Sequence, residues 1–218
     1  FLPGWVWLRA LSIRLTDLAE RLILAVGLSL ALTIVGAMFA VYLPGPLTTT
    51  QLLMTTNLLI LGGLVTVWWQ ERLRPRSVLS ALSPQYYVFL ILAGLLILAA
   101  ALRLPRLGYA EFHEDEAEAL LLGARLFQGE DYAIFLHRKG PAQMLAPVAF
   151  WLLTGHINEA LARFPFALSS ILSVVTLFFI GRRWFNGQAG VIAALLWAVN
   201  GYAIGFGRMA QYQALIFF

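Results

Sequence analysis

The chain has 218 residues, 61% of them hydrophobic and 12% charged, with a mean hydropathy of +0.80. Soluble domains carry about 25% charged residues, so the composition points to a membrane protein, and the absence of cysteine excludes disulfides, thiol catalysis and thiolate metal sites. A net charge of +4 and a pI of 9.8 do not indicate nucleic acid, because the arginines are scattered between apolar runs rather than clustered with aromatic residues on one soluble face.

Residues 1–21 are apolar at helical spacing (Trp5, Leu8, Leu11, Leu15, Leu18), with Arg9, Arg14, Asp17 and Glu20 between. The pattern predicts an amphipathic helix, lying either in the membrane interface or against neighbouring protein. Apolar runs follow at 22–43, 52–69 and 86–102, and after a polar interval at 160–180 and 190–206. Each approaches the roughly 20 residues that span a bilayer as helix. The expected fold is therefore an all-α polytopic membrane protein with about five spanning helices. Residues 141–155 are apolar too, but the run is short and contains Pro147. A re-entrant or juxtamembrane helix fits it better than a crossing. The closing residues 210–218 read as the start of a further membrane helix, so the chain is expected to be a piece, or a degenerate relative, of something longer.

Basic residues collect on the cytoplasmic side of membrane proteins. Placing the amino terminus there puts Arg9, Arg14, Arg21, Arg72, Arg74 and Arg76 inside. The uncharged 44–51 turn and the polar loop 103–140 are then outside. If 141–155 does not cross, Arg182 and Arg183 also fall inside. The expected location is the plasma or inner membrane.

The polar loop is where chemistry is to be sought. Residues 111–141 hold seven of the eleven acidic residues, two of the three histidines and the only lysine. Within it His113-Glu114-Asp115-Glu116-Ala117-Glu118 opens a predicted amphipathic helix, with Ala117, Leu120, Leu121 and Ala124 on one face. Acidic residues in a first turn are also ordinary helix capping. Crowded carboxylates beside lipid should raise the pKa of at least one of them, as suits a general base. At the far end Arg138 and Lys139 suit a phosphate at headgroup level, or simple anchoring to lipid phosphate. Arg163 and Arg208 flank spans on the same expected side, which makes them candidate substrate-binding residues beside Arg138 and Lys139, although singly each also suits an interface anchor. The two histidines could bind a divalent metal together with the carboxylates, although solvated loop histidines are commoner. A carboxylate base, cationic groups for a leaving phosphate and apolar helices for a lipid tail together fit sugar transfer from a polyprenyl-phosphate carrier.

Residues 86–218 also resemble the amino-terminal part of the C-type (GT-C) membrane glycosyltransferases, in the protein O-mannosyltransferase and aminoarabinose transferase group. The matching pieces are Asp115-Glu116-Ala117; Lys139-Gly140-Pro141, where the family often has Lys-Pro-Pro; Gly155 to Glu159; Arg163-Phe164-Pro165-Phe166-Ala167-Leu168; Gly181-Arg182-Arg183-Trp184-Phe185; and Gly207-Arg208-Met209. The resemblance implies that Asp115 is the catalytic base or its organiser, supported by Glu116. It further implies that Lys139 and Arg208 contact the carrier phosphate. Relatives often carry a second acid where this chain has Gln213. The implied organisation is a GT-C-like core over residues 81–218, preceded by two additional membrane helices within 1–80. The alternative reading is a non-catalytic accessory subunit packed against other membrane subunits. The expected partners are a polyprenyl-phosphate sugar donor and membrane lipid.

Overall fold

No water is present in a bilayer core to satisfy backbone groups, so each apolar run must close its own hydrogen bonds, and the helix does so. The computed structural model describes residues 2–12, 18–73 and 86–218, and among these the regular structure is entirely helical. In chain order the helices are α1 (Leu2–Ala10), α2 (Leu18–Val41), α3 (Thr49–Leu73), α4 (Tyr86–Arg103), α5 (Glu114–Leu126), α6 (Ala142–Thr154), α7 (Glu159–Trp184), α8 (Gly187–Val199), α9 (Gly201–Gly207) and α10 (Gln213–Ile216), with a 3-10 turn at Asp131–Phe135.

Among the described residues three helices, α2, α3 and α7, are long and apolar enough to cross a membrane. The run expected at 190–206 is instead two helices, α8 and α9, bent by 61° at their junction. The run at 86–102 is α4, whose 18 residues make about 27 Å of helix, just short of the hydrocarbon thickness. The five expected crossings thus appear as three full spans, one broken span and one marginal helix. Arg74 and Arg76 of the basic turn, the boundary expected near residue 80, and Arg14, Leu15 and Asp17 lie outside the described residues.

At the amino terminus the packed alternative holds. α1 buries Val6, Leu8 and Ala10 against α2 and α3. The Gly4 N–H donates to Ser29 Oγ at 2.9 Å, and Trp7 Nε1 donates to the Leu59 carbonyl at 2.9 Å. α7 is the central helix: two thirds of its spanning window is buried inside the protein, against 17% for α3. α7 meets α8 at Gly181 and Gly190, where a Cβ on Gly181 would stand 2.8 Å from the Gly190 Cα.

The break between α8 and α9 frees carbonyls inside an apolar bundle. Arg103, fully buried at the end of α4, takes them up. Its Nη1 donates to the Ala198 carbonyl at 2.9 Å and its Nη2 to that of Trp197 at 3.2 Å. Its Nε donates to Ser170 Oγ, which in turn donates to the Ala203 carbonyl in α9. Asn200 caps α9 by accepting from the Ala203 N–H. This network fixes where α9 begins, and the chain beyond α9 leads to Ala210 and Gln211.

Two sets of contacts define the ends of the bundle. At one end the Leu47 N–H donates to the Leu126 carbonyl, and Thr49 Oγ1 to that of Leu152. At the other, Arg183 lies 4.0 Å from Glu20, at the start of α2. Both termini of α6 lie at the first end. Its first turn holds Ala210 through Gln143, and its last turn reaches Asn158, at the start of α7, through Trp151 Nε1. α6 is therefore a buried helix capping the bundle, and the 44–48 turn, α5 and α6 gather opposite Arg182 and Arg183.

Candidate active site

α5 begins where His113 caps it. His113 Nδ1 accepts from the Asp115 N–H at 3.3 Å, and Glu116 Oε2 accepts from the His113 N–H at 3.0 Å, a reciprocal capping box. The buried side of α5 comprises Glu116, Ala119, Leu120, Leu122, Gly123 and Leu126. This corrects the face expected from sequence: Leu121 is 66% exposed, and Leu122 points inward. Successive helical residues diverge by about 100°. Asp115 and Glu116 therefore face different ways.

Glu116 faces in. It is 1% exposed and accepts four hydrogen bonds. Oε1 takes Arg163 Nε at 3.0 Å and the Ala210 N–H at 2.6 Å; Oε2 takes Arg163 Nη2 at 2.9 Å besides the His113 N–H. Burial pushes its carboxyl pKa up, but the Arg163 guanidinium and the Ala210 and His113 amides outweigh this, and the net shift is down. Arg163 is equally engaged. Nη1 donates to the carbonyls of Leu107 and Ala110, and Nη2 also to that of Glu111. All five N–H groups of its fork are used. Arg163, a candidate substrate-binding cation by its position, has no donor left for a substrate group. Glu116, expected beside the chemistry, has no lone pair left for a substrate. Both hold the site in place from beneath.

Asp115 faces out and is half exposed. Lys139 Nζ lies 3.0 Å from its Oδ1. The hydrogen bond from Lys139 holds the Asp115 carboxyl below its ordinary pKa, against a partial desolvation, with further help from the Lys139 charge and from a hydrogen bond donated by Gln211. The upward shift expected for a crowded carboxylate is thus reversed for Asp115 and Glu116, because each has a cation. The glycine of Lys139-Gly140-Pro141 has φ +88°, which a proline ring cannot adopt. This turn differs in shape from a Lys-Pro-Pro turn, and Pro141 then opens α6.

Two glutamines complete the site. Gln143 Nε2 donates to the Ala210 carbonyl at 2.8 Å and to that of Asp115 at 3.4 Å, while its Oε1 lies 3.3 Å from His137 Nε2. Since the amide nitrogen is committed to two carbonyls, Gln143 Oε1 accepts and His137 Nε2 donates. His137 Nδ1 is buried without a partner. Gln211 is buried beside Asp115. The sequence holds one signal for Gln143: a lone amide near the start of an apolar helix must be satisfied somewhere. Gln211 carries none, and the resemblance points instead to Gln213, whose Oε1 is buried without a partner. Arg138 is exposed and has no partner among the described residues. Arg208 donates through Nη1 to the Leu102 and Arg103 carbonyls, and its guanidinium lies 5.4 Å from the Tyr109 ring. Among the described residues no group of three His, Asp or Glu side chains is placed to hold a metal.

The chain is an all-helical integral membrane protein. Residues 140–217 match the family model of dolichyl-phosphate-mannose-protein mannosyltransferase, so just over a third of the chain is similar to membrane glycosyltransferases of that type. No curated protein and no solved structure gives a significant match to the chain. The matched stretch supplies Gln143, Arg163, Ala210 and Gln211, and it folds onto Asp115, which lies outside it.

Glu116→Gln leaves a buried guanidinium without its carboxylate. Losing one member of such a pair costs about 3–5 kcal/mol. The variant should melt at a clearly lower temperature in detergent. Because the Glu116 pKa is lowered on folding, the wild-type advantage should be complete above the ordinary glutamate range and vanish as the pH falls through the folded value. An unchanged melting temperature at neutral pH would show that the pair is not structural.

Proposed function

We propose that this site transfers a sugar from a polyprenyl-phosphate-linked donor to a hydroxyl acceptor at the outer face of the membrane. The observation that carries this reading is a convergence of segments. Gln143 and Gln211, in the stretch resembling mannosyltransferases, meet Asp115, whose carboxylate lies 3.0 Å from the Lys139 ammonium at the polar end of the bundle. The amino terminus is then cytoplasmic and loop 103–140 lies outside, in the plasma or inner membrane.

The chemistry follows from the groups present. The acceptor oxygen attacks the anomeric carbon while the bond from that carbon to the phosphate oxygen breaks. The electron pair leaves with polyprenyl phosphate, and the acceptor proton passes to Asp115. Lys139, with Arg138 and Arg208 nearby in sequence or on the same end, meets the charge that grows on the leaving phosphate. Donor binding and base strength are coupled through Lys139. In the free site its ammonium neutralises Asp115 and depresses its basicity. A donor phosphate draws the ammonium away, and the Asp115 pKa returns towards the ordinary carboxylate range, where it is the stronger base. The donor thus prepares the base for its own transfer. Arg163 and Glu116 keep Asp115 at the mouth, and Gln211 and Gln143 keep the 208–211 segment against it.

Asp115→Asn should lower kcat for transfer from a polyprenyl-phosphate sugar by about 10²- to 10⁴-fold, the range for loss of a general base, with expression and melting temperature unchanged. Turnover equal to wild type would overturn the assignment.

Lys139→Ala separates the coupling from simple anchoring. A lowered Asp115 pKa keeps the base ionised to low pH, so the acid limb of kcat/KM for wild type should lie below the ordinary carboxylate range. In the variant that limb should move up, and KM should rise for the donor more than for the acceptor. An unmoved limb with equal effects on both substrates would leave Lys139 as a lipid anchor only.

A further inference from the structure

Of the residues between Ile134 and Gln143, His137 alone is buried, at 6% exposed. Phe135, Leu136, Arg138 and Lys139 are all exposed. His137 is therefore the anchor of the segment that carries the protein's only lysine. The backbone turns tightly at that anchor. The Gly140 N–H donates to the His137 carbonyl at 3.3 Å, and Gly140 takes φ +88°. Arg138 and Lys139 are the two central residues of this turn, so the direction in which they point follows from where His137 is held.

Burying an imidazole is unfavourable unless its polar atoms are met. Here Nδ1 has no partner among the described residues, and Nε2 donates to Gln143 Oε1 at 3.3 Å. Gln143 cannot turn away, because it is fully buried and its amide nitrogen is held by the Ala210 carbonyl at 2.8 Å and the Asp115 carbonyl at 3.4 Å. The Nε2 bond thus ties the start of the turn to the first turn of α6. The contacts close a circuit. His137 meets Gln143, Gln143 meets the Asp115 backbone, the Asp115 carboxylate meets Lys139 at 3.0 Å, and the chain leads from Lys139 back to His137.

We propose that His137 is a positioning residue for Lys139: its hydrogen bond to Gln143 clasps the 138–142 turn and holds the ammonium at Asp115. A clasp is needed because the pair is weak by itself. A lysine ammonium rides on a flexible four-carbon stem, and a partly exposed ion pair gains little against the freedom it gives up. The ammonium stays on the carboxylate only as well as its backbone is held. His137 acts through Gln143 and the turn. What the held ammonium does for a donor phosphate rests on the transfer proposed above. The clasp itself does not, and its test uses no turnover.

The single lysine makes the test specific. Its amine reacts with an N-hydroxysuccinimide ester only when it has left the carboxylate, so the acylation rate of the Lys139 peptide, read by mass spectrometry on the full chain in lipid nanodiscs, reports how well it is held. Asp115→Asn sets the rate of a released lysine, expected about threefold above wild type, the order for loss of a partly exposed ion pair. His137→Phe keeps a ring but no donor, and His137→Asn places its amide nitrogen near Nδ1 rather than Nε2. Both should approach the Asp115→Asn rate. His137→Gln carries an amide N–H out to about the reach of Nε2 and should keep Lys139 protected. Wild-type rates in His137→Phe and His137→Asn would overturn the proposal, as would an Asp115→Asn rate equal to wild type. Equal acceleration in His137→Gln and His137→Asn, in step with equally lowered melting temperatures, would assign the imidazole to packing alone and overturn it too. Loss of the proposed transfer reaction would show instead as unchanged turnover in Asp115→Asn, which none of these rates measures.

Discussion

The Glu116–Arg163 ion pair is the contact on which the polar end of this protein depends. Two charges taken out of water are costly unless every remaining lone pair and proton is also met. Here the carboxylate accepts four hydrogen bonds and the guanidinium donates five, two of which are shared between them. The partners come from far apart in the sequence: the 107–111 loop, the cap of α5, the first turns of α7 and the turn after α9. No other contact among the described residues joins all four. An apolar bundle has little directional information of its own, because lipid tails compete equally well for apolar surfaces. Buried polar contacts supply that information, and this pair supplies it where the candidate chemistry lies.

A helix turns one residue from its neighbour by about 100°, and the candidate site exploits that turn. Fixing Glu116 inside the protein fixes Asp115 outside it, at a mouth shared with Lys139. Arg103 performs the matching task deeper in the bundle. By taking up the carbonyls freed at the α8–α9 break it sets the direction of α9, and hence the position of Ala210 and Gln211. Two arginines that look alike in sequence therefore act in series along one chain of contacts, one on a broken span and one on the loop that the span delivers.

Much of the fold can be read from the residues. The all-helical membrane class, the positions of the apolar helices and the shortness of the helix within 141–155 follow from run length and proline content. The meeting of the acidic and basic halves of loop 103–140 follows from charge alone. What the sequence hides is the division of labour. Nothing in the pair Asp115-Glu116 says which carboxylate turns inward, since that depends on the register of α5, and misreading Leu121 for Leu122 shifts it by one residue. Arg163 looks like an interface anchor because its carbonyl partners are backbone atoms, which leave no trace in composition. Gln211 is invisible for the same reason in reverse: its role depends on a turn set by Arg103, more than a hundred residues earlier.

The most direct measurement is the distance between spin labels at positions 118, on α5, and 212, just past Gln211, in lipid nanodiscs. If the buried pair anchors the two segments, the otherwise unaltered chain gives one short, narrow distribution, and Arg163→Leu gives a longer and broader one even at temperatures where the helical content is intact. The same narrow distribution in both proteins would mean that other contacts hold the mouth, and that the Glu116–Arg163 pair does not organise the site.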